Sequence, residues 1–260
     1  MRDPHVEALE YRLEHGDDIS YDDPDPVEFG TEKFVGRLED GELLVTMREH
    51  FERAEEARRV VDPFLRAWEL DDRLRGRKDE ISFKYLRARV IDRNPPAAGS
   101  GIVVPLEGIS VGVSADVAAL RVGRRSYPAP PFDFLVTADV ETMWQRYEGY
   151  LEGKEPLLSM GYFCLTVIQS LAGSRGGATE RFRVERDVLN TVGELTSSRG
   201  DGRTARKANQ MDGQRPLSKA EERWLERALK LLIARVGEVA GGSQVDTISL
   251  DDLPSLEKKD

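Results

Sequence analysis

Apolar and polar positions along this chain alternate with two different periods, and the change of period divides it. Val27, Phe29, Thr31, Lys33 and Val35 occupy every second position, and Leu43, Val45 and Met47 do the same after Asp40-Gly41. Period-two patterning marks a strand with one buried face, and an Asp-Gly pair between two such runs marks a hairpin. The pattern predicts strands at about 27–38 and 42–47. From Phe51 the period lengthens. Phe51, Ala54, Val61, Phe64, Leu65 and Trp68 sit at helical spacings with charges between them. Asp62-Pro63 fits an N-cap followed by a first helical residue, so this stretch reads as two helices in series or one kinked helix, ending at Gly76. Residues 80–92 return to period two, with Ile81, Phe83, Tyr85, Arg87 and Arg89 on one face. Residues 102–105, 109–113 and 120–122 read as further strands.

The proline-rich connector at 127–131 separates this half from one that is helical throughout. Asp139 heads a helix carrying Val140, Met143, Trp144, Tyr147 and Leu151; Pro156 starts an apolar helix that Gly173 stops. A third helix carries Val188, Leu189, Val192 and Leu195. The last opens on Ser218-Lys219-Ala220-Glu221, a capping box in which serine and glutamate satisfy each other's exposed amides. Its apolar stripe runs Leu225, Ala228, Leu232, Val236 and Val239. The fold class expected is α+β: a β-rich N-terminal half with an intervening helix, then a bundle of about four helices.

Charge adds an expectation about the ends. The formal net charge is -10. Residues 1–30 carry ten acidic and two basic side chains, and residues 246–260 carry five and two, so the body between is close to neutral. Acidic, proline-punctuated termini suggest solvated, mobile segments. The layout expected is therefore an acidic flexible leader at 1–25, with a short helix around Val6–Leu13, where Val6, Leu9 and Leu13 share a helical face. A mixed β/α domain follows at 26–127, then a helical domain at 132–242 and an acidic flexible tail at 243–260.

Several chemistries find no support in the residues. Cys164 is the single cysteine and lies in an apolar run, which excludes an internal disulfide framework and a thiolate metal site. His5, His15 and His50 match no metal-ligand spacing and read as solvated side chains. There is no phosphate-binding GxxxxGK[ST] or GxGxxG motif, and Gly173–Gly177 reads as a turn. No cofactor and no metal is expected. The apolar run at 157–172 is short of the ~20 residues a spanning helix needs. With no apolar N-terminal signal visible, the chain is expected in the cytoplasm.

One segment stands apart. Residues 193–216, GELTSSRGDGRTARKANQMDGQRP, join two well-marked helices. Between positions 199 and 215 the cations Arg199, Arg203, Arg206, Lys207 and Arg215 meet only Asp201 and Asp212, and Ser197, Ser198 and Thr204 add hydroxyls. Guanidinium groups pair bidentately with phosphate and carboxylate. Arg199, Arg203, Arg206, Lys207, Ser197 and Ser198 are the candidate anion-binding residues. The loop has no aromatic residue for base stacking, so nucleic-acid contact would be electrostatic and salt-sensitive.

A β-rich half followed by a helical bundle with a charged interhelical loop resembles the layout of prokaryotic proteins carrying HEPN-type helical domains. The RNase motif of that family, an Arg, a polar residue and, several residues on, a His, has no counterpart here, because no histidine follows His50. The resemblance implies a non-catalytic relative.

The function expected is a non-enzymatic binding module whose basic loop contacts an anionic ligand, a nucleic acid or an acidic protein, with homodimerisation through the helical half. One alternative is a metal-dependent phosphoesterase or nuclease-like enzyme, which needs two or more of Glu69, Asp71, Asp72, Asp92 and Asp116 in one cleft. A structural assembly subunit is the other.

Overall fold

The computed structural model describes residues 3–16, 19–75, 81–94, 122–200 and 215–256. The expected strands at 102–105 and 109–113 lie outside the described residues. The chain forms two compact units, one of residues 1–72 and 78–130, the other of residues 73–77 and 131–260. The class is α+β.

The first unit is built on a five-stranded antiparallel sheet. In chain order its strands are β1 (Pro4–Glu14), β3 (Val27–Gly30), β4 (Phe34–Glu39), β5 (Glu42–Met47) and β6 (Ser82–Asp92), and their spatial order is β3-β4-β5-β1-β6. A second, two-stranded sheet pairs β2 (Ile19–Asp25) in parallel with β7 (Val122–Ser126). Asp40 and Gly41 both take positive φ, at 50° and 74°, and close the β4–β5 hairpin with Glu39 opposite Glu42. That is the mirror-image turn whose twist suits a two-residue hairpin. The expected strand over 27–38 is instead two strands. Thr31 breaks it: its Oγ1 accepts hydrogen bonds from the amides of Lys33 and Phe34, each at 3.2 Å. Phe29 then faces Gly36, and a Cβ at Gly36 would lie 2.2 Å from the Phe29 ring.

One helix covers one face of this sheet. α1 runs unbroken from Ala54 to Leu74 with Pro63 inside it. Ala57, Val61, Leu65 and Trp68 recur at helical spacing and join the core made by Leu9, Tyr11, Phe34, Leu38, Leu43 and Val45. Buried contacts on both sides of Pro63 offset the hydrogen bond that proline cannot make. Asp62 is therefore not a cap.

The largest correction concerns the N-terminus. The expected flexible leader holds β1, which lies between β5 and β6, and β2. His5, Val6, Ala8, Leu9, Tyr11 and Leu13 are buried. The i, i+3 spacing of Val6 and Leu9 resembles a helix because the register against β6 shifts between Val6 and Ala8. One extra residue there puts two positions three apart on the same face of a strand. A second shift, between Glu10 and Tyr11, accommodates Leu86 of β6. Past it the core-facing position passes from Tyr85 to Ala88, and Arg87 and Arg89 leave the face predicted for them. They meet the acids of β1 instead: Arg87 Nε is 2.6 Å and Arg89 Nη2 3.2 Å from Glu10, and Lys84 Nζ is 3.4 Å from Glu14.

The second unit contains α2 (Ala138–Leu151), α3 (Leu157–Ala172), α4 (Arg175–Phe182), α5 (Arg186–Ser198) and α6 (Lys219–Gly241). Ser218 and Glu221 form the expected capping box of α6, and Gly242 ends the helix in the left-handed region. Gly173 caps α3 in the same region, and Ser174 Oγ accepts from the Gly177 amide to start α4. The amides of the glycine-rich turn are thus used in helix caps. The expected flexible tail is also partly anchored. Ile248 and Leu253 are buried, the Ile248 amide donates to Arg183 O and the Glu185 amide to Ile248 O, both at 2.8 Å. No single helix among the described residues is long and apolar enough to cross a membrane.

Candidate functional site

The loop between α5 and α6 begins and ends on a single carboxylate. Arg199 and Arg215 form an isolated parallel bridge, with the Gly200 amide donating to Arg215 O at 3.0 Å. Their side chains converge on Glu221 in the first turn of α6. Arg199 Nε donates to Oε1 at 3.0 Å, while Arg215 donates through Nη1 to Oε2 at 2.6 Å and through Nη2 to Oε1 at 2.8 Å. The Ser218 amide adds a fourth bond, to Oε2 at 2.8 Å. Glu221 is 7% exposed. Burial alone would raise its pKa, but the hydrogen bonds from Arg215, the Ser218 amide and Arg199 outweigh that and hold it at about 2. The carboxylate is a charged hub at all physiological pH values.

This geometry sorts the predicted site residues. Arg199 is at the neck, two-coordinated to Glu221 and to Ser198 Oγ at 2.9 Å. Ser197 Oγ donates to Gly193 O and Ser198 Oγ to Glu194 O, each at 2.7 Å, so both hydroxyls close the last turn of α5. Arg203, Arg206 and Lys207 lie outside the described residues. Sequence reasoning recognised Glu221 as part of a capping box and missed its second role. The available signal was two arginines placed where both ends of a connection meet the same helix N-terminus.

The other candidates separate cleanly. Cys164 is fully buried in α3, and burial pushes its thiol up to about 12, so it behaves as a small core residue. Trp144 and Tyr147 are buried in α2, and the Tyr150 hydroxyl donates to Glu226. His15 and His50 are exposed, as expected for solvated side chains, and His5 departs from that expectation. His5 is 5% exposed and stacks on His50 with ring centroids 5.3 Å apart, and His50 Nε2 lies 3.4 Å from Asp3. Of the acids an enzyme would need, Glu69 accepts from the Phe83 amide at 2.8 Å and Asp92 from the Asp3 amide at 2.9 Å. Phe83 and Asp92 stand at opposite ends of β6, about 30 Å apart at strand rise. Asp71 and Asp72 are buried on α1, and Asp116 lies outside the described residues. Among the described residues no three His, Cys, Asp or Glu side chains are placed to hold a metal ion. No family model matches the chain, and no curated protein or solved structure does either.

Proposed function

We propose that the chain is a non-enzymatic binding module whose α5–α6 loop contacts an anionic partner. The observation that carries this reading is the neck. Glu221 spends its charge on Arg199 and Arg215, and in doing so fixes where the loop leaves and re-enters the helical unit. Between those ends the sequence carries three further cations, Arg203, Arg206 and Lys207, against Asp201 and Asp212. A connection of this length between packed helices is uncommon, and such connections are usually functional or act as linkers. Fixing its ends lowers the entropy lost when a partner orders it.

Binding of this kind is governed by charge and weakens as salt screens it. The test is affinity of the full chain for single-stranded RNA, duplex DNA and nucleoside triphosphates at two salt concentrations. Arg203→Ala/Arg206→Ala serves as the control variant. The reading expects at least one ligand to bind, to weaken with salt and to weaken again in the double variant. Binding that is absent throughout, or indifferent to the double change, sinks it.

A further inference from the structure

A different part of the molecule, in the first unit, sets a group of arginines beside an apolar surface. Two hollows of about 560 and 520 Å³ lie along α1 and share one residue, Arg59. Arg58, Arg59 and Arg66 line the first, together with Glu55 and Asp62. Phe34, Val60 and Phe64 give the second an apolar floor, with Thr31, Glu32 and Lys33 at its edge.

The first hollow is braced from beneath. Arg58 lies over the Tyr85 ring, 4.4 Å from its centroid, and Arg58 Nη2 is 2.8 Å from Asp62 Oδ2. Asp62 Oδ1 in turn accepts from the buried Tyr11 hydroxyl at 2.8 Å. Burial and the Asp62 carboxylate both raise the Tyr11 pKa, so the phenol stays protonated and keeps donating. Arg58 is thus held by a stacking contact and a carboxylate that is itself fixed. Its Nε is buried without a hydrogen-bond partner among the described residues. Arg59 is exposed and makes no ion pair among them. It stands between the cation-lined hollow and the apolar one.

A ligand matched to both would have an anionic head for the guanidinium groups and a compact apolar body for the phenylalanine floor. We propose that α1 and the β3–β4 turn form a binding site for a small amphiphilic anion, an aryl or branched-alkyl phosphate or carboxylate, with Arg59 reading the head and Phe34, Val60 and Phe64 the body. Ligand sites of this size are commonly apolar with a few placed polar groups.

The experiment uses the full chain and three probes: phenyl phosphate, inorganic phosphate and phenol, titrated by calorimetry and by amide shifts at positions 31–34 and 58–66. Phenyl phosphate should bind at least about tenfold more tightly than either fragment, because one molecule engages both hollows. Arg59→Gln, at an exposed helical position, should weaken it about tenfold, and Arg59→Lys should recover part of the loss, since a lysine keeps the charge but not the fork. Arg203→Ala/Arg206→Ala should leave it unchanged, which separates this site from the loop. The proposal is overturned if phenyl phosphate binds no better than inorganic phosphate. It is also overturned if Arg59→Gln melts at the wild-type temperature and binds phenyl phosphate as wild type does, or if the shifts fall elsewhere.

Discussion

Two stretches of this chain have a similar share of charged residues and different fates. Residues 4–14 and 199–215 are both short, highly charged and free of long apolar runs. The first is an inner strand of the sheet, while the second contributes a neck of two arginines at its described ends. The difference lies in the number and order of apolar residues rather than in the amount of charge. In residues 4–14 each charged residue sits beside an apolar one, so a strand can send Leu9, Tyr11 and Leu13 into the core and Glu10 toward Arg87 and Arg89. Between 199 and 215 only Ala205, Ala208 and Met211 are apolar. Net charge describes solubility and partners, whereas alternation describes burial.

The sharpest way to break this comparison is to remove a core side chain from β1. Leu9→Ala should cost about 2–5 kcal/mol, the range for a fully buried leucine, and lower the melting temperature accordingly. A mobile leader would tolerate the change without effect. Glu221→Gln should come next, at about 2–3 kcal/mol, because it leaves the Arg199 guanidinium without its charge partner in a partly buried neck. The same residue fixes a pH dependence. Its folded pKa of about 2 lies below the ordinary glutamate value of 4.5. Its contribution is therefore fully present above the unfolded value and is lost as pH falls toward 2. Wild type should lose this component on acid titration and Glu221→Gln should not show it.

A smaller effect is expected at the other end of β1. Burial, then Arg93 and His50, lower the His5 pKa against the opposing pull of Asp3 and Glu7. A base whose folded pKa is depressed contributes stability above its unfolded value, about 6.5, and loses it as pH falls through that value toward the folded one. With only three histidines in the chain, proton NMR can follow His5, which should titrate below the ordinary histidine value of about 6.5. The smallest effect belongs to the exposed charge ladder: Glu10→Gln should change stability by about 1 kcal/mol or less, since Arg87 is more than half exposed. A loss as large as that of Leu9→Ala would mean that charge, not alternation, holds β1 in place.

Much of the fold was legible where local chemistry and tertiary packing agree. The Asp40-Gly41 hairpin, the capping box at Ser218 and the glycine stop at Gly173 each combine a local backbone requirement with a flanking apolar pattern. What was not legible depends on the partner strand or on a side chain's distant bond. The two register shifts of β1 against β6 are properties of the pair, so neither strand alone reveals them. The break at Thr31 is a side-chain turn that interrupts an otherwise good alternation. Asp62-Pro63 has the form of a helix start, yet Asp62 is committed to Tyr11 and Arg58, 51 and 4 residues away. At the candidate site the arginines were legible as a cluster, but the joining of Arg199 to Arg215 was not. It is made by Glu221, six residues past Arg215 and twenty-two past Arg199.

The reading of the chain as a binding module rests on the cations that the sequence places between Arg199 and Arg215. The most direct test compares single-stranded RNA, duplex DNA and nucleoside triphosphate binding by wild type and Arg203→Ala/Arg206→Ala at low and high salt, with thermal melting of both proteins. The account predicts equal melting temperatures, binding by wild type that weakens with salt, and a loss of about tenfold or more in the double variant at low salt. Equal affinity of the two proteins for every ligand, or no binding by either, would contradict it.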